Sequence, residues 1–370
     1  MFSATVEKNQ PLFSGGSKRQ TSFALSPNGN FLAVATDNVK KNLNSYTIRV
    51  FNANTLKLVF TKSYQEDKEK FFMPNDLVVD DLGQAYVLGK KYIEGRREKK
   101  QGEANYDFII NKVSKDEVQS IELKLDNNEH IRSLNISQSN PEQLQLLGFY
   151  SEEKVGRIKG GCNFIINIKS TLSLKNKISS ELPLSVYEDL YGDNRAERKK
   201  DNELTNFYID HVFQDESGNT YLIAEEFFVT SYYVSNGQMG GYYVTTYHYN
   251  DILVLKFNAN NQLDLGRSIF KKATTPSYNA FLKDNQLHIL LNSGKNLIEK
   301  NDGRTKVSKG FLESSALYDV VFGLDGEVAY NKVQDNKGKT FYTPFRGTYK
   351  NTKFVMMSDA KSKKQFMILE

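Results

Sequence analysis

With 49 basic and 44 acidic side chains in 370 residues, a formal charge of +5 is too balanced to mark a dedicated nucleic-acid binder. A single cysteine, Cys162, excludes an intramolecular disulfide and any multi-cysteine zinc or iron–sulfur site. Hydrophobic residues at 39% and aromatics at 12% suffice for a sizeable core, while no apolar run approaches the roughly 18 residues of a membrane helix.

The N-terminus, MFSATVEKNQ, lacks the charged and apolar regions of a signal peptide, so the chain as written reads as soluble. A mature exported protein whose leader was replaced by Met1 reads the same way, and the compartment stays open. From there on, the apolar residues fall in short runs of Val, Ile, Leu, Phe and Tyr, the composition of strands.

One pattern recurs along the chain: a short apolar strand, a tight Asp/Asn/Gly turn and a second apolar strand. It appears as SFALSPNGNFLAVAT from Ser22, DLVVDDLGQAYVLG from Asp76, NISQSNPEQLQLLG from Asn135, HVFQDESGNTYLIA from His211, NAFLKDNQLHILL from Asn279 and DVVFGLDGEVAYNK from Asp319. A third strand with its own turn follows several copies, as in YTIRVFNANTLKLVF and DILVLKFNANNQLDLGRSI. Four antiparallel strands per copy is a propeller blade, and the chain is expected to be all-β: a six-bladed β-propeller forming a single domain over residues 1–370. A seven-bladed or irregular propeller is the alternative. A β-sandwich pair or β-helix fits less well, because sandwiches do not repeat a hairpin at matching offsets and a β-helix needs shorter coils. One helix is expected, in SVYEDLYGDNRAERKK, and either the N-terminal SATVEKNQ or the C-terminal KQFMILE is available to close a shared blade.

Blade connections from second to third strand, and from the fourth strand to the next blade, emerge on one face. The long segments fall in those classes: loops 89–106, 182–205 and 333–352, and an insertion hairpin at about 227–250. A scaffold elaborated on one face is expected to work there. Two chemistries dominate it. Lys90, Lys91, Arg96, Arg97, Lys99, Lys100, Arg157, Lys159, Lys337, Lys339, Arg346 and Lys350 supply positive charge suited to an anionic surface, an acidic glycan or a protein. Tyr232, Tyr233, Tyr242, Tyr243, Tyr247 and Tyr249 flank an Asn-Gly-Gln-Met-Gly-Gly turn, which puts rings on both faces of a hairpin, and tyrosine is an amphipathic anchor of binding surfaces.

Aligning the six copies brings Ser22, Asp76, Asn135, His211, Asn279 and Asp319 to one polar position at the start of the innermost strand, the expected channel mouth. Such residues hydrate a propeller axis, or hold a ligand or a hard cation such as calcium, with Asn75, Asp76 and Asp319 as the metal-ligating set. No cofactor is otherwise expected. His130, His211, His248 and His288 are scattered without ligand spacing, and adjacent Glu225 and Glu226 face opposite ways on a strand, so they do not flank one glycosidic bond. No Walker, Rossmann or Gly-x-Ser-x-Gly motif is present.

Pro74-Asn75-Asp76 followed by Asp80-Asp81-Leu82-Gly83 resembles the Pro-Asn-Asp segment of gluconolactonase-like six-bladed propellers, over about ten residues and with Leu77 where that family has Gly. The resemblance implies that Asn75 binds a catalytic divalent metal in a lactonase. The wider pattern, a lysine- and asparagine-rich propeller with long second-to-third-strand loops, resembles uncharacterised exported propellers of Bacteroidota, which implies a periplasmic or outer-membrane-associated place in a cell-envelope assembly. The expectation that follows is a non-enzymatic binding or scaffold protein engaging a protein or an anionic or glycan partner through the loop-rich face, with a metal-dependent lactonase or hydrolase as the alternative.

Overall fold

A computed structural model describes residues 21–40, 43–64, 70–152, 157–200, 204–237, 240–309, 313–323, 325–337, 340–359 and 364–370. The chain forms two compact units, Met1–Gly156 with Cys162–Ser179 and Arg157–Gly161 with Ser180–Glu370. The N-terminal segment SATVEKNQ lies outside the described residues.

The first sheet takes its strands in chain order: β1 (Thr21–Leu25), β2 (Phe31–Lys40), β3 (Leu43–Asn52) and β4 (Leu58–Tyr64). The second joins β5 (Phe72–Val79) and β6 (Ala85–Tyr92), is interrupted by a ribbon of β7 (Lys99–Lys100) and β8 (Glu103–Ala104), and continues in β9 (Tyr106–Val113) and β10 (Val118–Leu123). The third comprises β11 (His130–Asn140), β12 (Gln143–Ser151), β13 (Gly160–Asn167) and β14 (Ser173–Glu181).

Helices α1 (Leu184–Tyr191) and α2 (Asp193–Lys200) precede the fourth sheet, β15 (Phe207–Gln214), β16 (Thr220–Ser235), β17 (Gly241–Phe257) and β18 (Leu263–Lys272). The fifth follows as β19 (Tyr278–Lys283), β20 (Gln286–Gly294), then β21 (Ile298–Glu299) and β22 (Thr305–Ser308), which turn back onto β18, and then β23 (Ser315–Phe322) and β24 (Val328–Asp335). Three strands end the chain: β25 (Thr348–Lys350), β26 (Lys353–Met357) and β27 (Phe366–Leu369). Consecutive antiparallel meanders of four strands are propeller blades, and the fold is all-β of that class.

Middle strands such as β6, β12 and β13 are buried on both sides, which explains why they read as apolar runs. Along β6, Ala85 and Val87 join a core with Ala33, Ile48 and Val50 of the first sheet, while Tyr86 and Leu88 join one with Leu134, Leu146 and Phe164 of the third. Alternation places successive side chains on opposite faces, so a strand between two neighbours is apolar at every position. In the second unit, Ile289 and Leu291 pack with Ile223, Val254 and Ile269, while Leu290 packs with Phe354 and Met356. Each buried Val, Leu, Ile, Phe or Met side chain among these contributes about 1.5–3 kcal/mol by its burial.

The turns repeat one device. Asp80 accepts from the N–H of Leu82 (3.0 Å) and Gln84 (2.8 Å) and from the Tyr86 hydroxyl (2.9 Å), while Gly83 at φ +78° closes the turn. Asp215 does the same for Ser217 (2.9 Å) and Asn219 (2.8 Å), with Gly218 at φ +81°. An Asp80→Ala variant is expected to lose about 2 kcal/mol, because it frees two turn N–H groups and removes the main partner of a buried phenol. Urea unfolding checks this, and a midpoint equal to that of the unchanged chain refutes it.

Two expectations are corrected. The helix expected over SVYEDLYGDNRAERKK is two helices, because Gly192 at φ +82° ends the first. Arg267 grips α1 against β18 through both oxygens of Asp189 at 2.8 and 2.9 Å. The copy beginning at Asp319 is not a first hairpin; it forms the third and fourth strands, β23 and β24, of the fifth sheet. Third and fourth strands meet at the same kind of glycine turn as first and second, so the pattern alone does not separate them. Segment 333–352 therefore connects the fifth sheet to the C-terminal one.

Candidate binding hairpin and its ionic root

Ser22, Asp76, Asn135, His211 and Asn279 stand on the first strands of the first five sheets, β1, β5, β11, β15 and β19, whereas Asp319 stands on β23. Several of these residues clip strands together. The Asp76 carboxylate accepts from the N–H of Leu77 (2.9 Å) and from Ile136 on β11 (3.1 Å), at a bulge that contains Asn75. Burial nonetheless pushes its pKa upward, against those two bonds. Asn279 accepts from Ala280 (2.9 Å) and donates to the carbonyls of Pro344 (3.2 Å) and Gly347 (2.9 Å). His211 stacks on Phe213, and burial lowers its pKa.

Asp319 meets the Nδ1 of His288 at 3.0 Å, and that ring lies flat on Phe281. Asn75 and Asp76 belong to the first unit and Asp319 to the second. Among the described residues, no group of three or more His, Cys, Asp or Glu side chains is arranged to hold a metal ion.

The basic residues separate into paired and open ones. Lys90, expected on the binding face, is turned inward: its Nζ bonds to Glu98 at 2.8 Å and lies 4.3 Å from the centre of the Tyr106 ring. Arg96 covers the Phe71 ring at 5.0 Å. Lys100 pairs with Glu94, and Lys159 with Glu181 at 3.5 Å. Lys91 is half-buried, while Arg97, Arg157 and Arg346 are exposed. Acids interleaved in the same loops thus neutralise much of the positive charge.

The hairpin stands differently. β16 and β17 run on past β15 and β18, whose pairing stops at Phe207↔Glu226 and Ile252↔Ile269, and they remain paired with each other from Phe227↔Tyr249 to Ser235↔Gly241. Tyr232, Tyr233, Tyr242, Tyr243 and Tyr247 are each more than half exposed, with Tyr243 at 73%. One face carries Phe227, Val229, Tyr233, Tyr243, Tyr247 and Tyr249; there Tyr233 meets Tyr243 edge-on at 5.2 Å and Phe227 meets Tyr249 at 4.9 Å. The other carries Tyr232, Tyr242 and the stacked pair Phe228–His248 at 4.4 Å. Residues 227–250 contain no Asp, Glu, Lys or Arg, where the 25% charged content of the chain would give about six.

Beneath the hairpin lies a buried ionic cluster that the sequence did not disclose. Lys271 on β18 is 1% exposed and uses all three ammonium hydrogens, donating to Glu225 (2.8 Å), the Tyr249 carbonyl (2.6 Å) and the Ser277 hydroxyl (3.1 Å). Asp210 accepts from the Tyr278 hydroxyl at 2.6 Å, and Asp251 accepts from the Lys271 N–H at 3.0 Å. A bulge between Glu225 and Phe227 takes Glu226 out of the β16–β17 ladder where the hairpin leaves the sheet, while it stays paired with Phe207 of β15. Burial raises the pKa of Asp210, Glu225 and Glu226 and lowers that of Lys271. Burial and the neighbouring Glu226 push Asp251 up to about 7. Lys271 next to the apolar Ile269-Phe270 and the Glu225-Glu226 pair inside the apolar run YLIAEEFFV were the available signals of this cluster.

No family model matches the chain, and no curated protein matches it. Among solved structures it is similar to the β-propeller domain of the Trilobed protease from Pyrococcus furiosus, at 13% identity and a TM-score of 0.39, covering 95% of this chain and 81% of that one. It is also similar to the Dos1 propeller, at 8% identity and a TM-score of 0.38, covering 94% and 90%. Inulosucrase from Halalkalicoccus jeotgali bound to kestose is similar at 10% identity and a TM-score of 0.34, covering 92% and 93%. Among the described residues no helix is long and apolar enough to cross a membrane.

Proposed function

We propose that this chain is a non-enzymatic binding or scaffold protein that engages a partner, in the first place a protein, through the tyrosine-bearing faces of the β16–β17 hairpin. The supporting observation is the charge-free segment 227–250 with five tyrosines more than half exposed, anchored by the buried ionic root. Tyrosine offers a large amphipathic contact with few torsions to freeze, and Ser, Thr, Asn and Gly supply adaptable hydrogen bonding around it; this is the composition of binding loops. The exposed Arg97, Arg157 and Arg346 are secondary contributors to the reading, because the interleaved acids leave them a weak collective field. A lactonase site at Asn75, Asp76 and Asp319 has less support, since both oxygens of Asp76 are engaged by backbone N–H groups and Asp319 is paired with His288.

The test removes residues 231–247 and turns Val229-Thr230 into Asn-Gly, which leaves Phe228 and His248 as a bonded pair closed by a two-residue turn. The full and shortened chains are immobilised and incubated with an extract of the native organism, and the recovered proteins are identified by mass spectrometry. The shortened chain is expected to keep its melting temperature within about 3 °C and to lose the recovered partner. Undiminished recovery refutes the role of the hairpin. Partner recovery absent from both chains, with binding on a glycan array that the shortened chain lacks, assigns the faces to sugar instead.

A further inference from the structure

The edges of the hairpin carry information that its faces do not. Asn236 donates to the Gly240 carbonyl at 2.7 Å, which fixes the phase of the ladder. Bonded and non-bonded pairs alternate in an antiparallel ribbon, so Val234/Tyr242, Tyr232/Val244, Thr230/Thr246 and Phe228/His248 exchange bonds within the hairpin. The intervening pairs, Ser235/Gly241, Tyr233/Tyr243, Ser231/Thr245, Val229/Tyr247 and Phe227/Tyr249, aim their N–H and C=O groups outward. The root agrees with that phase: Phe227 donates outward to Asn206 at 2.9 Å, and Tyr249 exchanges bonds with Ala273 at 2.9 and 3.0 Å. Beyond the root, Gly241, Tyr243, Thr245 and Tyr247 line an outer edge of β17 beside which no strand lies among the described residues.

Natural proteins guard such an edge with lysine, proline, a bulge or an inward charge. Here none is present from Phe227 to Asn250 except the bulge at the root, and Tyr242–Tyr247 is an unbroken run of aromatic and β-branched residues. The four outward residues are also symmetric about Val244. In an antiparallel pairing of two copies of this edge, Gly241 meets Tyr247 of the second copy and Tyr243 meets its Thr245, so all four outward sets are matched. Moving the register two residues toward the root would set Gly241 against Tyr249, whose outward groups are already bonded to Ala273. The hairpin from Phe227 to Asn250 carries no Asp, Glu, Lys or Arg, so no like-charge pair opposes this pairing of two copies.

We infer that the β17 edge is a self-association site at which two copies of this chain pair antiparallel about a two-fold axis at Val244, forming a continuous four-stranded ribbon. The interface is isologous and closed, as expected of a symmetric dimer. It uses the edge of the hairpin and goes beyond the binding role proposed for its faces, sharing only the premise that the hairpin stands free.

The full-length chain is examined by analytical ultracentrifugation. A reversible dimer is expected. Val244→Lys and Val244→Glu each place like charges face to face on the axis and are expected to sediment as monomers, while an equimolar mixture of the two regains the dimer. Val244→Thr retains it. Thr245→Pro deletes an outward donor without cutting a backbone bond inside the hairpin, giving up there only the hydroxyl bond between Thr245 and Ser231 (2.9 Å), and abolishes the dimer. A monomeric unchanged chain overturns the inference, as do charge variants that still dimerise alone or a mixture that stays monomeric. A monomeric chain that still recovers its partner leaves the binding role of the faces standing, and a dimeric chain whose partner recovery survives loss of residues 231–247 removes that role alone.

Discussion

Lys271→Met is expected to cost the second unit about 3–5 kcal/mol, seen as a fall of about 6–20 °C in its melting temperature. The ammonium is 1% exposed and all its hydrogens are bonded, so its removal strands Glu225 as a buried carboxylate, leaves the Ser277 hydroxyl short of a donor and leaves the Tyr249 carbonyl with only its bond from the Ala273 N–H. Replacing both partners, as Lys271→Met with Glu225→Met, is expected to recover at least half of the loss, because the price of an ion pair in the interior is mostly that of leaving one charge alone. Since Tyr249 closes the root of the hairpin, amide exchange over residues 241–249 is expected to speed up in the single variant. A single variant as stable as the unchanged chain would show that the cluster is solvated and carries no structural load.

The repeat was legible because each blade needs the same strand, turn and strand, and the turn chemistry of Asp80 and Asp215 writes itself into the sequence as Asp-x-x-Gly. That economy also caused the error at Asp319. A third-to-fourth-strand turn closed by Gly326 at φ +87° looks like a first-to-second-strand turn, and the shortness of β25 and β27 hid the C-terminal sheet. Gly192 was visible inside the expected helix, but only its positive φ shows that it divides the segment.

The hairpin was legible for a different reason: charge and tyrosine content are properties of the segment itself. Its exposure follows from strands that outrun their neighbours, a fact of pairing. Lys90 illustrates what composition hides, since a lysine next to Lys91 in a basic loop gave no sign that Glu98 and the Tyr106 ring would draw it inward. The ionic root was the least legible feature. Asp210, Glu225, Asp251 and Lys271 come from four strands, and nothing short of the β15–β18 register brings them together.

That root should make stability fall as the pH rises through the range where most proteins are least sensitive. Asp251 ionises at about 7 in the folded chain because it is buried beside Glu226, against an ordinary value of 3.8. Below about pH 4 both folded and unfolded chains hold the proton, and this group contributes no pH dependence. Between about 4 and 7 the folded chain holds a proton that the unfolded chain has released, so stability declines with each step of pH. Above about 7 both are ionised and the decline is complete, at on the order of 4 kcal/mol for a shift of about three units. The raised values of Asp210, Glu225 and Glu226 act in the same direction, while the lowered values of His211 and Lys271 oppose them. Asp251→Asn isolates the contribution, because the amide oxygen still accepts from the Lys271 N–H but no charge develops. Thermal unfolding at constant ionic strength is therefore expected to show the unchanged chain losing melting temperature from pH 5 to pH 8 and the Asn variant losing markedly less, with the variant the more stable of the two at pH 8. Parallel curves for the two chains would mean that Asp251 is ionised throughout, and that the strand junction beneath the hairpin is open to water.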